Sequence, residues 1–547
     1  MPSAISYAST RLWDGLAIAV LAITAVVAVL TFRDFGLGWD DYTHAQYGDL
    51  LLSLYSSGFT DKRALSFVNL YMYGGGYDLL AALTAKILPF ALFETRRLVG
   101  AVVGIIGLFV TWRLGRRLGG PFAGLISVAL LATCPLYYGQ MFMNAKDGPF
   151  AVTMATALLG LVRAFEEYPR ATPATIALYG IGMGLAIGSR VMGGFAVINT
   201  VLPLLLILIV RTRLNGLMPA LREWFGFLTP FIPTVILAYL VMGLVWPWAV
   251  VSPLNPFHAV EYFSNFFEKP WRELFDGQLI PVPDMPRRYV PTLLALTLPE
   301  LMLALGLGGS IGAFIESVRG DGSSSTANLG RRAALFAVIL AALLPVLVTV
   351  IARPAMYNGI RHFVFLMPPF AVLSGLAAAW ISKCLRSLSS IATGAGVAVL
   401  LAGFASPIVD MVRLHPYEYT DFNHIAGGVP GARPRYMIDY WGLSMTQASR
   451  ELRAVLESKG EKPPGRPWTV AVCGPHPAVE VGLGPGYSAI WDPKGADFAI
   501  MLNEFYCADL NAPVVLEVVR DGVVYARVYD IRGLSISTLL RYPNANQ

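Results

Sequence analysis

Two adjacent carboxylates, Asp40 and Asp41 in Gly38-Trp39-Asp40-Asp41, follow the first long apolar segment. A third, Asp147 in Asn144-Ala145-Lys146-Asp147-Gly148-Pro149, follows the third such segment. An acid beside an acid is useful because mutual repulsion raises one pKa, leaving one group as a general base while the other stays charged or holds a metal. If these carboxylates gather around an acceptor hydroxyl, one removes its proton while the rest position it. Asp41 and Asp147 would be the oxygen ligands for Mg2+ or Mn2+, should an ion take part. An anionic leaving group then needs a cationic cradle. Arg190 in Gly188-Ser189-Arg190-Val191, Arg361 and His362 in Tyr357-Asn358-Gly359-Ile360-Arg361-His362, and Lys146 fit that need, since arginine binds phosphate by directed hydrogen bonds as well as by charge. Tyr357, Asn358 and His258 are further candidates for contact with acceptor or sugar. Each residue also has a structural alternative. Asp40, Asp41 and Asp147 stand where helix N-caps are expected, Lys146 can snorkel, the arginines can anchor an interface, and the histidines can serve as structural hydrogen-bonding groups.

The elements that must position these residues are set by composition. With 55% hydrophobic and 14% charged residues and a mean hydropathy of +0.58, the chain reads as a polytopic membrane protein. Spans of roughly 17–25 apolar residues place about eleven helices near 12–32, 98–116, 121–138, 149–165, 173–189, 194–210, 228–250, 291–317, 333–352, 362–382 and 391–411. Arginine and lysine occupy every second connection, among them Arg113, Arg116, Arg117, Arg163, Arg170, Arg211, Arg213, Arg319, Arg331, Arg332, Lys383 and Arg386. By the positive-inside rule those loops and the N-terminus are cytoplasmic. The alternate loops and everything after about 412 then face the periplasm or another outer space, and all the candidate residues fall on that side. The first segment is long and lacks a small-residue cleavage pattern, so it reads as a retained helix. The net charge of +6 follows from the basic loops and needs no nucleic-acid partner; anionic lipid headgroups suffice. Ionisable residues are almost absent from the span centres, unlike the midplane relays of proton-coupled transporters.

The first outer loop carries helical patterns at 41–57 and 77–92, read as interfacial, joined by the aromatic and glycine-rich run Tyr71-Met72-Tyr73-Gly74-Gly75-Gly76-Tyr77. Residues 252–289 form a second long outer loop, rich in aromatics and proline, of the kind that serves as a lid or binding loop. Its aromatics Trp271, Phe275 and Tyr289 suit either sugar stacking or interface anchoring. The stretch 320–330 reads as a flexible linker. Beyond about 412 the pattern becomes that of a small α/β domain, with a helix near 443–459, strands near 468–473, 488–492 and 496–503, and a hairpin turning at Asp521-Gly522. Of four cysteines, Cys473 and Cys507 lie in this outer domain, as a disulfide or as two unrelated buried thiols.

Four motifs carry a family resemblance: Trp39-Asp40-Asp41-Tyr42-Thr43-His44-Ala45, Tyr73-Gly74-Gly75-Gly76-Tyr77-Asp78, Asn144 to Phe150, and Tyr357 to His362. Together they resemble bacterial membrane glycosyltransferases of the GT-C class, the group of the protein O-mannosyltransferases and lipid A aminoarabinose transferases. The stretch from His415-Pro416-Tyr417-Glu418-Tyr419 to Asp439-Tyr440-Trp441-Gly442 is similar to their segment joining membrane and soluble parts. The resemblance implies an all-α GT-C-like membrane domain over 1–412 and an extracytoplasmic α/β domain over 413–547, in a bacterial inner membrane. It implies transfer of a sugar, usually with inversion, from a polyprenyl-phosphate donor to a hydroxyl on lipid, glycan or protein. The first-loop acidic motif, often Asp-Glu, maps onto Asp40 and Asp41, the later acid onto Asp147, and phosphate-holding basic residues onto Arg190 and Arg361. The alternative is a lipid-linked sugar flippase or other transporter. Many transporters show repeated halves, and no repeat is visible in this sequence.

Overall fold

A computed structural model of the chain describes residues 4–264, 271–319 and 325–540. Part of the linker expected at 320–330 lies outside the described residues. Among them, nine helices are long and apolar enough to cross a membrane, and Pro173–Ser189 is a shorter apolar helix. The first elements are α1 (Ala4–Thr31), α2 (Asp41–Ser56), α3 (Gly76–Ala85), α4 (Leu92–Ala132), α5 (Pro135–Met143), α6 (Asp147–Glu166) and α7 (Pro173–Ser189). The 41-residue α4 is broken at Gly120, whose φ of 85° precedes Pro121. Its two arms fold back on each other, since a Cβ on Gly115 would meet Ser127 and one on Gly124 would meet Arg116. Counted as separate arms, they bring the apolar segments to the expected eleven.

Local chemistry explains the boundaries. Thr172 caps α7 ahead of Pro173, and Ser389 caps the helix Ser390–Leu414 by accepting from the amide of Ala392 at 3.0 Å. The span expected at 291–317 is divided into Tyr289–Thr297 and Glu300–Arg319, because Pro299 has no N–H and crowds the preceding turn. The span expected from 228 begins earlier, within Leu217–Val245. Basic side chains gather at one end of the bundle, where Arg116 pairs with Asp14, Arg117 with Glu166 and Arg331 with Glu316. Asp147 opens α6 at the opposite end from Glu166.

Two sheets complete the molecule. A hairpin of β1 (Arg272–Phe275) and β2 (Gln278–Pro281) turns at Asp276-Gly277, both at positive φ. The five-stranded sheet runs β4 (Tyr487–Ile490), β3 (Trp468–Cys473), β5 (Phe498–Leu502), β7 (Val523–Asp530) and β6 (Val514–Arg520). Strand β3 is parallel to β4 and β5, whereas β7 is antiparallel to β5 and β6, and the β6–β7 turn is Asp521-Gly522 as expected. The helix Ser444–Ser458 packs on this sheet, and Cys473 and Cys507 form a disulfide. One continuous apolar core runs from the bundle (Leu131, Tyr137) through Tyr440 and Leu443 to Val470 and Val528.

Candidate active site

Asp40 is set in place by a strap. The amide of Leu37 donates to Thr446 Oγ1 at 2.9 Å and that of Trp39 to the carbonyl of Trp441 at 3.2 Å. Glycines permit this approach: a Cβ on Gly36 would collide with the carbonyl of Leu443, and one on Gly38 with the indole of Trp441. Asp40 then stands at the N-cap position of α2 without using its carboxylate as a cap. Its Oδ2 instead accepts from Lys146 Nζ at 3.0 Å, and the side chain keeps 39% exposure. Burial works against its charge, but Lys146, His44 and Arg361 outweigh it and hold the carboxyl well below the usual carboxylate range.

Asp41, the other carboxylate offered by the sequence for catalysis or metal binding, is buried. Its side chain is only 3% exposed, with each oxygen 2.7 Å from a different Arg97 nitrogen, and it also accepts from the amide of Gly38 at 2.8 Å. Three hydrogen bonds thus hold the carboxylate, and through the Gly38 amide it anchors the strap. Arg97 also donates to the carbonyls of Gly36 and Phe142. A second buried set lies alongside, in which Asp78 accepts from Arg96 and meets His44 Nδ1 at 2.7 Å. Sequence reasoning passed over Arg96 and Arg97. The available signal was an arginine pair at the end of a long apolar helix that the sequence reading places outside, where the positive-inside rule disfavours it.

Asp147 is where the expected cradle converges. It opens α6, and Asn144 Oδ1 accepts from its amide at 2.8 Å while Asn144 Nδ2 donates to its Oδ2 at 2.8 Å. Arg190, just past the end of α7, pairs with Oδ1, and Arg361 Nη1 stands 3.6 Å from Oδ2. Arg361 is sandwiched near Trp441 and Tyr357, at 4.5 and 5.2 Å from their ring centres. The Tyr73 ring faces Lys146 Nζ at 5.0 Å and Arg190 at 5.9 Å. Tyr73 is brought there by the glycine run behind it: Gly74 abuts the backbone of Gly188 too closely for any side chain, and the amide of Gly75 donates to the carbonyl of Val245 at 2.9 Å.

The remaining candidates divide. His362 lies edge-on to Tyr357 at 4.9 Å, within the cluster. Asn358 takes part through its backbone, at φ 54°. Its amide and that of Gly359 donate to Glu273 at 3.1 and 3.2 Å, and Tyr289 Oη donates to the same carboxylate at 3.3 Å. Glu273, on β1, was not singled out from sequence, although Asp276-Gly277 between Arg272–Phe275 and Gln278–Pro281 is a hairpin signal. Burial pushes its carboxyl up to about 7, against the backbone donors that favour its charge. His258 sits exposed on the helix Asn255–Ser264 and, among the described residues, joins none of these contacts. Asp41 faces Arg97, whereas Asp147 faces Arg190 and Arg361. Among the described residues, no cluster of three or more His, Cys, Asp or Glu side chains could hold an ion.

A polytopic helical bundle with an appended α/β sheet thus carries two carboxylates, Asp40 and Asp147, facing three cations. Residues 76–237 match the family model described as dolichyl-phosphate-mannose-protein mannosyltransferase, and the match is confined to that stretch of the chain. No curated protein matches the chain. Similar solved structures include ArnT from Cupriavidus metallidurans bound to undecaprenyl phosphate, 16% identical over 95% of this chain and 98% of that one, with a TM-score of 0.48. The oligosaccharyltransferase of Archaeoglobus fulgidus in its apo form is 14% identical over 88% of this chain and 65% of its own, at 0.48. Arabinosyltransferase EmbB of Mycobacterium smegmatis is 16% identical over 75% and 43%, at 0.32.

Proposed function

We propose that the chain transfers a glycosyl group from a polyprenyl-phosphate-linked donor to an acceptor hydroxyl at the outer face of a bacterial inner membrane, in one inverting displacement. The observation that carries this reading is the partly exposed Asp40 carboxylate facing Lys146, beside Asp147 with Arg190 and Arg361. Three cations against two carboxylates leave one net positive charge, which complements the single negative charge of a phosphodiester donor. In the reaction the acceptor O–H proton passes to Asp40 as the oxygen attacks the anomeric carbon. The bond from that carbon to the phosphate oxygen breaks, and its electron pair leaves on the polyprenyl phosphate. The added charge is taken up by Lys146, Arg190 and Arg361, fixed before the reaction begins. Lys146 leaves Asp40 for the phosphate, which restores basicity to the carboxylate when donor is present. Asp147 holds the arginines in register.

A divalent cation fits this residue set poorly, because both carboxylates near the cleft are already neutralised by side-chain cations, so no step is routed through a metal. The basic end of the bundle, opposite Asp147, supports a cytoplasmic N-terminus with the site and the sheet outside. Reconstituted protein with a polyprenyl-phosphate sugar and candidate acceptors tests the reading. Transfer that is lost in Asp40→Asn while native mass spectrometry still finds bound donor lipid supports it. Movement of the lipid-linked sugar across the bilayer without transfer would establish the flippase instead.

A further inference from the structure

Two exposed indoles and a phenol meet beside Asp40 from segments far apart in sequence. Trp39 immediately precedes Asp40 and is 37% exposed, and its indole is in hydrogen-bonding reach of the half-buried Tyr506. Trp271, 42% exposed at the start of the β1–β2 hairpin, lies 6.0 Å from Tyr506 between ring centres. Each is fixed from behind. The Trp39 amide is bound to Trp441, the Trp271 carbonyl accepts from Val282 at 2.7 Å, and Tyr506 adjoins the Cys473–Cys507 disulfide. A further exposed indole stands on the sheet. At the same C-terminal ends of parallel β3 and β4, the 70% exposed Trp491 stacks on His476 with centroids 3.7 Å apart. Ligands of α/β sheets gather at that end of the strands, and here that end faces the strap holding Asp40, since Gly442 abuts Pro475 and Glu504 accepts from the amides of Ile438 and Asp439.

We infer that this aromatic ledge binds the acceptor, and that the acceptor is a carbohydrate chain. The inference rests on the transferase reading above. Rigid aromatic faces held open to water suit the C–H faces of sugar rings, whose hydroxyls stay hydrated at the edges. Separated rings beside the partly exposed Asp40 carboxylate match a repeating polar ring polymer better than a lipid tail, which needs a continuous apolar trough. The ledge also ends at the base that would deprotonate the terminal hydroxyl.

The test uses full-length protein in detergent, titrated with maltohexaose, mannohexaose, xylohexaose and chitohexaose, read by tryptophan fluorescence and saturation-transfer NMR. At least one hexasaccharide saturates, with transfer to its ring protons. Trp271→Ala weakens it roughly five- to tenfold, while Trp271→Phe retains most of the affinity. Binding that is absent, or is the same in Trp271→Ala and Trp491→Ala as in the parent, overturns the ledge. Saturation of the same tryptophans by a Ser/Thr-rich peptide in place of any saccharide also overturns it, in favour of a polypeptide acceptor. Native mass spectrometry on the same samples separates the two levels. Bound donor lipid without saccharide binding removes the ledge alone, whereas no polyprenyl species in any sample removes the transferase reading and the ledge with it.

Discussion

Asp40 and Asp41 are neighbours of the same chemical type with opposite fates. Asp40 keeps an exposed edge and one cationic partner, whereas Asp41 is buried under Arg97. Asp40→Asn should lower turnover by about 10²–10⁴-fold, the usual contribution of a positioned base, in a donor-to-acceptor transfer assay with lipid binding retained. Asp41→Asn should act on the fold. It leaves the Arg97 charge buried and unpaired, a loss of about 3–5 kcal/mol, visible as a lowered unfolding midpoint in detergent. From sequence, the pair, Asp147, Lys146, Arg190 and Arg361 stood out as charged groups expected on one face of the membrane, and the structure brings Asp40, Lys146, Asp147, Arg190 and Arg361 together. The division of labour within the pair was not legible, because it depends on Arg97, 56 residues away, and no local pattern encodes such a partner.

At the scale of elements, the β1–β2 hairpin acts on the site at one remove. Its Glu273 grips the amides of Asn358 and Gly359, two residues before Arg361. Glu273→Ala should raise the donor KM roughly tenfold as these buried donors lose their acceptor, and Glu273→Gln, which keeps a carbonyl oxygen, should recover part of it. Steady-state kinetics against donor concentration checks both. A second link is pH-dependent. His415, just past the helix Ser390–Leu414, meets Glu418 at 2.7 Å and Asp34 at 3.0 Å. Burial lowers its pKa, but these two carboxylates outweigh that and raise it. Its contribution to stability is therefore complete below the unfolded value of about 6.5 and lost as pH rises through the raised folded value. Unfolding midpoints measured from pH 5 to 9 should show this fall in the parent and a flatter profile in His415→Gln. The long helices were readable from hydropathy alone. The hairpin escaped because its strands are four residues each, too short for an alternation pattern to stand out among aromatics and prolines.

At the scale of the molecule, bundle and sheet share one core and one site. Trp441, from the segment beyond the last long helix, covers Arg361, and the Cys473–Cys507 disulfide braces the strand ends beside Tyr506. Replacing both cysteines by serine should cost about 2–4 kcal/mol, measured by thermal unfolding of the oxidised parent and the double variant. The α/β character and the Asp521-Gly522 turn were legible in sequence, but the docking of the sheet was not, since it depends on glycines whose purpose appears only against Leu443 and Trp441.

That docking also sets an order of events at the ribosome. Leu37 and Thr446 are 409 residues apart, so the strap holding Asp40 emerges early while the surface it rests on is made only after the last long helix. The geometry proposed for catalysis is consequently withheld throughout insertion of the bundle. On the proposed mechanism each newly made molecule should become competent only after the segment carrying Trp441 and Thr446 has folded, and a chain cut short before it should show no transfer in the same assay.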